Sequence, residues 1–388
     1  MRILYFLDNV MSWKSGIWYH RTEIPGRGLS KRGHSIRQVA IGANIPDEFM
    51  EYPDVVVMGR IYPEHTDPLK TMKAYIKQGT KVVYDIDDDY WAVDPSNPSR
   101  FVSNVFKNQY ESLIKEADVI TTPSKVLANK IRKMVGKKKP IFICHNAIDF
   151  DDYVERPRKN KELVIGYMGA ASHWRDLAMI MPALEKLNEK HDFIFAIHGI
   201  VGGDFDSEIH TYNRLLSQNV YPEQNDYYRE AINFYEKMKG LKMAHKPFVL
   251  PELHPIKLSE SDFDIGLAPL EDNEFSRGKS CIKYYEYAAV GTPCIASNVE
   301  PYKSEVNYLA KNTTEDWYKK IEKLIVDEKF RNELAKKQQE WVKENRSLDK
   351  IAIDWELALQ KDNGKKSPKV LNQDKKWLKK FQERWQKK

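Results

Sequence analysis

The sequence has few cysteines and no long apolar run. Its 388 residues include three cysteines, Cys144, Cys281 and Cys294, an odd number without the spacing of metal ligands. We therefore expect reduced thiols in a cytoplasm. No apolar segment approaches the ~20 residues that a membrane-spanning helix needs. Residues 1–8 turn polar too soon for a signal peptide and are typical of a first β-strand. The expected location is cytoplasmic, with peripheral attachment to a membrane as an alternative.

The excess of positive charge is confined to the C-terminus. The formal net charge is +6, but residues 365–388 carry ten Lys or Arg against two acidic residues, and the rest of the chain has a net charge of −2. This basic tail has Trp and Phe at helical spacing. A helix of that kind can contact an anionic membrane or DNA, or can lie in solvent. The near-neutral remainder argues against a broad nucleic-acid-binding face.

Short apolar strands alternate with helical patterns along most of the chain. The first series predicts strands at 2–7, 36–41, 55–58, 81–84, 119–122 and 141–143. The second series predicts strands at 163–168, 193–197, 248–250, 265–267 and 294–296. Helices are predicted at 18–31, 70–77, 110–117, 124–134, 177–190, 226–239 and, with a break near Asn345, 315–361. This alternation predicts doubly wound parallel sheets.

The predicted fold class is α/β, with two Rossmann-like domains that face one another across a cleft. At 388 residues the chain is long for one core, so two domains are expected. The predicted boundaries are 1–150 for the N-terminal domain, 151–162 for a linker, 163–344 for the C-terminal domain, 345–364 for a returning helix and 365–388 for the basic tail. Ligands bind beyond the carboxyl ends of such strands, so residues that follow the strands are candidate site residues.

The segment 277–293 brings a cation, a hydroxyl and a carboxylate to the start of a predicted helix. Gly278 is followed by Lys279 and Ser280, and the free backbone N–H groups of a helix start bind anions such as phosphate. Glu286 lies about two helical turns beyond Lys279, so we expect both on one helical face. A cation for a diphosphate and a carboxylate for ribose hydroxyls predict a nucleotide site.

A second candidate phosphate site follows the first strand of the second series. Gly169 lets the backbone approach a ligand, Ser172 can cap the next helix, and Arg175 can reach an anion at the N-terminus of that helix. Tight packing is the alternative reason for the glycine. The presence of Lys279 in the same predicted domain favours the phosphate site.

Four carboxylates follow the strand 81–84, at Asp85, Asp87, Asp88 and Asp89. Carboxylates this close repel one another, so their proximity requires an explanation. A divalent metal is one reason, but we expect none and favour the binding of sugar or acceptor hydroxyls, with helix capping and a solvated turn as structural alternatives. Asp87 and Asp88 are candidates for accepting a proton from an acceptor hydroxyl, and Asp85 is a candidate acceptor contact.

His20 and Arg21 are candidate acceptor-binding residues. They follow a loop that contains Gly16, and from there both could face the cleft from the first domain. A lone His is more often structural, which is the alternative for His20.

With these residues in place, the chain resembles the GT-B glycosyltransferases and is similar to their retaining family-4 (group 1) enzymes over roughly residues 1–360. The most specific matching residues are Lys279-Ser280, Lys283-Tyr-Tyr-Glu286-Tyr-Ala-Ala-Val-Gly291-Thr-Pro293 and Ala296-Ser297. Supporting residues are the Gly16 loop, Leu29-x-x-x-Gly33-His34, Ala117-Asp118-x-Ile120-x-x-x-Ser124 and Asn146-x-Ile148-Asp149.

The resemblance implies transfer of a hexose from a nucleotide-diphosphate sugar, such as a UDP-sugar, to a hydroxyl. It implies retention of configuration and no essential metal or other cofactor, with the donor in the C-terminal domain and the acceptor in the N-terminal one. Glu286 matches the family's ribose ligand, while Lys279 and Arg175 match the basic pair on the diphosphate, where Lys279 would also act in catalysis. The remaining candidate donor contacts are Gly16, Gly169 and Ser280.

The chain departs from the family pattern at two places. The family has two Glu separated by seven residues, and Gly278 stands at the earlier position. The backbone of the loop 273–276 could replace the missing contact to the donor sugar. The first-domain His of many family members is replaced here by the carboxylates at 85–89.

Several acceptors and activities remain open on this reading. A surface glycan or a lipid-linked saccharide is the favoured acceptor. The first alternative is a phage-type DNA glycosyltransferase that acts on a hydroxymethylated base. The missing first Glu also leaves open a non-catalytic nucleotide-sugar binder, and an epimerase would have the same fold.

Overall fold

The computed structural model describes residues 1–7, 15–40, 53–59, 67–93, 100–154, 161–170, 173–200, 204–219 and 222–360. Within them the chain forms two six-stranded sheets, and all strand pairs are parallel. The predicted pair of Rossmann-like sheets is therefore confirmed. Predicted features outside the described residues are Ser172, the linker segment 155–160, residues 361–364 and the basic tail 365–388.

The first sheet has the strand order β2-β1-β3-β4-β5-β6. Its strands are β1 (Arg2–Leu7), β2 (Ser35–Ala40), β3 (Val55–Met58), β4 (Lys81–Asp85), β5 (Val119–Thr122) and β6 (Ile141–Ile143). The central strands β3 and β5 are buried at every residue, because separate apolar clusters cover the two faces of the sheet. Continuous apolar runs are what such doubly covered strands require. We call this sheet and the helices packed on it the N-terminal half.

The helices that follow these strands are α1 (Gly16–Trp18), α2 (Ile24–Lys31), α3 (Pro68–Lys77), α4 (Arg100–Glu116) and α5 (Lys125–Val135). Between α1 and α2 lies a π-helical segment, Tyr19–Glu23, so residues 16–31 are continuously helical. Pro25 stands in the first turn of α2, where a missing N–H is tolerated. The helix thus accommodates Pro25 through a change of helix type just before it.

The second sheet has the strand order β12-β11-β10-β7-β8-β9. Its strands are β7 (Val164–Met168), β8 (Ile194–His198), β9 (Met243–Lys246), β10 (Ile265–Ala268), β11 (Cys294–Ser297) and β12 (Leu309–Ala310). Its helices are α6 (Trp174–Ala178), α7 (Met181–Asn188), α8 (Phe205–Gln218), α9 (Asn225–Met238), α10 (His254–Ser259), α11 (Glu274–Arg277), α12 (Ile282–Ala289), α13 (Thr314–Val326) and α14 (Glu328–Arg346). We call this unit the C-terminal half.

Two sequence-based assignments in the C-terminal half are wrong. The predicted strand 248–250 is not a strand; the edge strand is β9, where half-buried and exposed residues alternate. Pro247 and Pro251 flank the segment, and Phe248 is 58% exposed, so this apolar run neither pairs with the sheet nor enters its core. The helix predicted at 177–190 is divided between α6 and α7, because Pro182 stands in the first turn of α7, a position that favours a new helix start.

The last described helix, α15 (Leu348–Leu359), returns to the N-terminal half, as predicted. Ile351 and Trp355 are buried in the apolar cluster on one face of the first sheet. Gly28 of α2 allows this packing, since a Cβ there would lie 2.8 Å from the Cβ of Ala352. Among the described residues, no helix has the length and apolar character to cross a membrane.

The chain passes between the halves twice, and the two passages are hydrogen-bonded to one another. The Ile148 N–H donates to the carbonyl of Arg346 at 2.9 Å, and the Leu348 N–H donates to the carbonyl of Ile148 at 2.8 Å. The two passages therefore lie side by side.

Candidate active site

A cavity of about 620 Å³ lies between the two halves. Both halves supply its walls, at the carboxyl ends of the parallel strands, where α/β proteins bind ligands. The predicted site residues that line it are Gly16, His20, Arg21, Asp87, Asp88, Arg175, Lys279 and Ser280. Three others are not among the lining residues: Asp85, Gly169 and Glu286.

The loop between α11 and α12 carries Lys279 and Ser280 into the cleft. Asn273 caps α11, since its side-chain oxygen accepts the Ser276 N–H at 2.8 Å, and this short helix ends at Gly278. The Lys279 Nζ lies 4.4 Å from the centroid of the Phe275 ring and 3.7 Å from Asp88 Oδ1 of the opposite wall. A cation and a carboxylate therefore meet across the cleft.

Because α12 begins at Ile282, Lys279 precedes the helix that holds Glu286. The prediction that the two side chains share a helical face is therefore wrong. Lys279 is a loop residue before the helix start, and Glu286 lies inside the helix.

Direct contacts join this loop to the N-terminal half. The Ser124 hydroxyl donates to the Gly278 carbonyl at 2.6 Å, and the Asn146 amide donates to the Ser280 hydroxyl at 3.0 Å. A Cβ at Gly278 would lie 3.2 Å from the Cβ of Asp89. The opposite half thus fills the space in which a side chain at 278 would begin.

Lys130 strengthens the same junction. Its Nζ lies 2.6 and 2.7 Å from the two carboxylate oxygens of Asp89 and 2.8 Å from Glu274 Oε1 of the C-terminal half. Asp89 is 2% exposed, and burial raises its pKa, although Lys130 opposes this shift. Lys130 thus supplies the cation that a buried carboxylate such as Asp89 requires.

The four carboxylates after β4 have different neighbours. Asp89 binds Lys130, and Asp88 faces Lys279. Asp87 Oδ1 accepts the Tyr90 hydroxyl at 2.5 Å, while Asp85 is 5% exposed and pairs with Arg21. Each of the four carboxylates thus has its own cationic or hydroxyl partner, and these partners offset the expected repulsion. The described residues contain no group of three or more His, Cys, Asp or Glu that could hold a metal.

Arg21, which lines the cleft, forms a bidentate ion pair with Asp85. The guanidinium Nη2 and Nε lie 2.6 and 3.0 Å from the two Asp85 oxygens, while Nη1 donates to the Cys144 carbonyl at 2.6 Å and to Asn146 at 2.9 Å. Thr121 also donates to Asp85, at 2.6 Å. Acceptor binding by Asp85 stays a prediction, which its burial and its three hydrogen bonds disfavour.

Glu286 lies in a buried pocket with two histidines. Its Oε1 is 3.2 Å from His254 Nε2 and 3.6 Å from His20 Nε2, and the Tyr153 hydroxyl donates to it at 3.4 Å. Burial would raise the pKa of Glu286, but His254, His20 and Lys283 outweigh that effect and lower it. The side chain is therefore a carboxylate, and it lies next to His20, which lines the cleft.

His20 itself is neutral at physiological pH. Burial lowers its pKa to about 4, so the ring carries no charge beside the carboxylate of Glu286. Its buried Nδ1 has no hydrogen-bond partner among the described residues.

Arg175 and Gly169 follow β7, as expected, but in different environments. The Arg175 guanidinium lies 5.1 Å from the Tyr227 ring centroid and 2.7 Å from Glu230, and the residue lines the cleft. At Gly169 a Cβ would lie 2.7 Å from the Tyr167 hydroxyl. Packing against Tyr167 is therefore sufficient reason for this glycine.

Three cleft residues were missed by the choice of candidates from sequence: Lys283, His173 and Asp176. Lys283 stands in the first turn of α12, and burial lowers its pKa to about 8, with Lys279 adding to the shift and Asp176 opposing it. The spacing Lys283-x-x-Glu286 within one helix is the signal that could have found it, because side chains three residues apart lie on the same helical face. His173 and Asp176 are three residues apart at the start of α6, a spacing that brings side chains together.

The arrangement of two parallel sheets, a shared cleft and a returning C-terminal helix defines the GT-B fold. No protein-family model matches the sequence, and no curated protein matches it. Solved structures do match.

A glycosyltransferase from Rickettsia africae ESF-5 is similar at 15% identity and a TM-score of 0.57, over 93% of this chain and 99% of that one. Sucrose-phosphate synthase from Thermosynechococcus elongatus is similar at 12% identity and a TM-score of 0.62, over 92% and 98%. HepE of Anabaena, in complex with UDP and glucose, is similar at 11% identity and a TM-score of 0.60, over 92% and 99%. Likeness at these identities establishes the fold.

Proposed function

We propose that the protein is a retaining glycosyltransferase that transfers a hexose from a nucleotide-diphosphate sugar to an acceptor hydroxyl without an essential metal. One observation carries the proposal: Lys279 and Lys283 stand on one wall of the interdomain cleft and face Asp88 on the other. In such a transfer, cations on one side can stabilise the anionic leaving group, and a carboxylate on the other side can accept the proton of the attacking hydroxyl.

The cationic wall is suited to a diphosphate. Lys279, Lys283 and the Ser280 hydroxyl surround the start of α12, where the helix dipole adds positive potential. As the glycosidic bond breaks, the leaving diphosphate gains negative charge, and these groups stabilise that charge without reorganising. Arg175, held by Glu230 and Tyr227, lies further along the same half and is the second predicted diphosphate contact.

The opposite wall is suited to an acceptor. Asp87 and Asp88 line the cleft within the N-terminal half, and a carboxylate there can accept the proton of an attacking hydroxyl. The leaving phosphate could take that proton instead, so the proposal needs no protein nucleophile. Gly16 and His20 line the same wall. Closure of the two halves around the donor would exclude water, which would otherwise hydrolyse it.

Glu286 is proposed to bind the ribose. Its low pKa keeps it ionised, and a carboxylate accepts hydrogen bonds from two neighbouring hydroxyls. His254 and His20 adjoin it from different halves, so ribose binding there would involve both sides of the cleft.

The test is calorimetric titration with UDP-, GDP-, ADP- and TDP-sugars, starting from UDP-glucose because HepE has been solved with UDP-glucose. Lys279→Ala and Glu286→Ala should each weaken binding by about 1–3 kcal/mol, as expected for a lost charge-assisted hydrogen bond. Lys337→Ala and Glu340→Ala, at exposed positions of α14, are matched controls and should bind normally. Unchanged affinity in both site variants, with the fold intact, would contradict the proposed donor site.

The acceptor is proposed to be a glycan or a lipid-linked saccharide, with a hydroxymethylated DNA base as the alternative. Vesicle co-sedimentation and DNA gel shift, each with and without residues 365–388, separate these acceptors through the basic tail. Nucleoside diphosphate that is released only when acceptor is present supports transfer. An epimerised sugar without net nucleotide release identifies the epimerase alternative, and binding without turnover identifies the non-catalytic one.

A further inference from the structure

A histidine–aspartate pair stands in the wall of the cleft next to the lysines. The His173 Nδ1 lies 2.8 Å from Asp176 Oδ2, and the other Asp176 oxygen accepts the Glu271 backbone N–H at 2.8 Å. Asp176 is 6% exposed. Burial alone would raise its pKa, but the bonds from His173 and from the Glu271 N–H outweigh burial and lower it. Asp176 is therefore a fixed carboxylate that acts only as an acceptor.

The fixed carboxylate determines which His173 nitrogen carries the proton. Because an ionised Asp176 cannot donate, Nδ1 must be the protonated nitrogen of the neutral ring, and Nε2 then carries a lone pair. No described residue hydrogen-bonds Nε2, and the His173 side chain is 19% exposed at the cleft. The remaining nitrogen is therefore available to a ligand as an acceptor.

The surroundings keep this ring neutral. Burial, together with the charges of Lys283 and Lys279, lowers the pKa of His173 to about 4 against the opposing effect of Asp176. A neutral acceptor does not suit a phosphate oxygen, which has no proton to donate, and it suits a hydroxyl group. The cationic side chains beside it already serve the phosphates.

From this geometry we infer that His173 is a specificity-determining residue that accepts a hydrogen bond from a hydroxyl of the donor sugar, with Asp176 as its positioning residue. The inference rests on the proposed function and extends it to the sugar, for which the earlier Glu of the family pattern is absent at Gly278. Asp89 occupies the space next to that position, so the contact is supplied instead from the start of α6.

The first test compares a nucleotide sugar with its nucleoside diphosphate. The probes are UDP-glucose, GDP-mannose, ADP-glucose and TDP-glucose, and the tightest of the four is used together with its free diphosphate. His173→Ala should weaken binding of the nucleotide sugar about 5- to 10-fold, the effect of one lost hydrogen bond, and leave the free diphosphate unchanged. His210→Ala, an exposed histidine of α8, is the control and should change neither affinity.

The outcomes separate this inference from the proposed function. Equal losses for the nucleotide sugar and the free diphosphate would place His173 on the phosphates and overturn the inference alone. Unchanged affinity for both would also overturn it. Failure of the unmodified protein to bind any of the four nucleotide sugars would contradict the proposed function, and the inference with it.

The second test inverts the polarity of Nε2. Asp176→Asn leaves one oxygen, which the Glu271 N–H takes, and turns the amide N–H₂ toward His173 Nδ1. The ring proton must then move to Nε2, which becomes a donor. A sugar hydroxyl can accept as well as donate a hydrogen bond, and the substitution also removes a negative charge beside Lys283, so the measured quantity is the affinity for the nucleotide sugar relative to that for the free diphosphate. This ratio should fall, but by less than in His173→Ala. A rise in the ratio would overturn the inference.

Sugars deoxygenated in turn at each free hydroxyl identify the partner of His173. One deoxygenated sugar should bind the unmodified protein about 5- to 10-fold more weakly than the complete sugar does. The His173→Ala variant should bind this deoxygenated sugar and the complete sugar equally well. If no deoxygenated sugar shows this loss of dependence, the inference is overturned.

Discussion

The Ser124 hydroxyl donates a 2.6 Å hydrogen bond to the carbonyl of Gly278 and also accepts the Leu127 N–H at 3.3 Å. One oxygen therefore caps α5 and joins the N-terminal half to the loop that carries Lys279. Both hydrogen-bonding functions of the hydroxyl are in use.

Ser124→Ala should lower the free energy of unfolding by about 1–2 kcal/mol, because it removes a helix cap and leaves the buried Gly278 carbonyl without its donor. Thr313→Ala removes only a cap, the one that accepts the Asp316 N–H at the start of α13, and should cost about 1 kcal/mol. Urea unfolding of both variants measures the difference. Equal costs would show that the bond between the halves contributes nothing.

Gly278→Glu restores the carboxylate of the family pattern, and we expect it to lower activity. A side chain at 278 begins 3.2 Å from the Asp89 Cβ, and its charge would join those of Asp88 and Asp89. We expect kcat/KM to fall by about tenfold or more, the effect of roughly 1.4 kcal/mol in transition-state stabilisation. Gly59→Ala, where a Cβ meets nothing within 4 Å, is the control. A gain in kcat/KM would contradict the assignment of this space to Asp89.

Lys283 should make donor binding pH-dependent. Its pKa is lowered to about 8 in the unliganded protein, and a bound diphosphate would raise it by favouring the charged form. Affinity for the nucleoside diphosphate should therefore fall about fivefold between pH 8 and pH 9, with proton uptake on binding in that range. Calorimetry in buffers of different ionisation enthalpy measures the uptake. Lys283→Arg keeps its charge and should flatten the profile; an unchanged profile would assign the pH dependence to another group.

The effect of Lys283 on protein stability has the opposite pH dependence to its effect on donor affinity. The folded protein holds the Lys283 proton less tightly than the unfolded chain, whose lysine has the ordinary pKa of 10.5. The unfolded state therefore binds more protons between about pH 8 and 10.5, and the contribution of Lys283 to stability rises with pH across that window. Lys283→Met should remove this rise, measured as a difference in urea unfolding.

Arg21→Gln should destabilise the protein by about 3–5 kcal/mol, because it leaves the buried Asp85 carboxylate without its cation. Arg229→Gln breaks an exposed pair with Asp226 and should cost about 0.5 kcal/mol or less. Urea unfolding measures both. A small effect on stability at Arg21, together with a large rise in the KM for acceptor, would support the acceptor-binding role predicted for this residue.

Much of the fold could be predicted because its strands are locally distinctive. Strand β3 is an unbroken run of branched and apolar residues, which is what a strand covered on both faces requires. Strand β9 could not be found in this way, since Met243–Lys246 lies at the sheet edge and half of its residues face solvent. The sequence pattern instead predicts a strand in the more apolar run beside it, between two prolines.

For a similar reason, the sequence predicts some residues of the site and not others. Lys279 could be predicted because a lysine beside glycine and serine before a helix is a local pattern that indicates anion binding. The bridge from Lys130 to Glu274 joins residues that are 144 positions apart, and no local pattern reports such a contact. His173 also gains its chemistry from a distant residue, since the Glu271 N–H, 95 positions from Asp176, fixes the carboxylate that sets the histidine tautomer.

The return of α15 makes the N-terminal half discontinuous along the chain. Strands β1–β6 leave the ribosome first, but one face of their sheet is completed by Ile351 and Trp355, which are synthesised some 200 residues after β6. A fragment that ends after β6 should therefore expose that face and aggregate. During synthesis the C-terminal half can close its own core before the N-terminal half can. The order of folding is thus expected to be the reverse of the order of the chain.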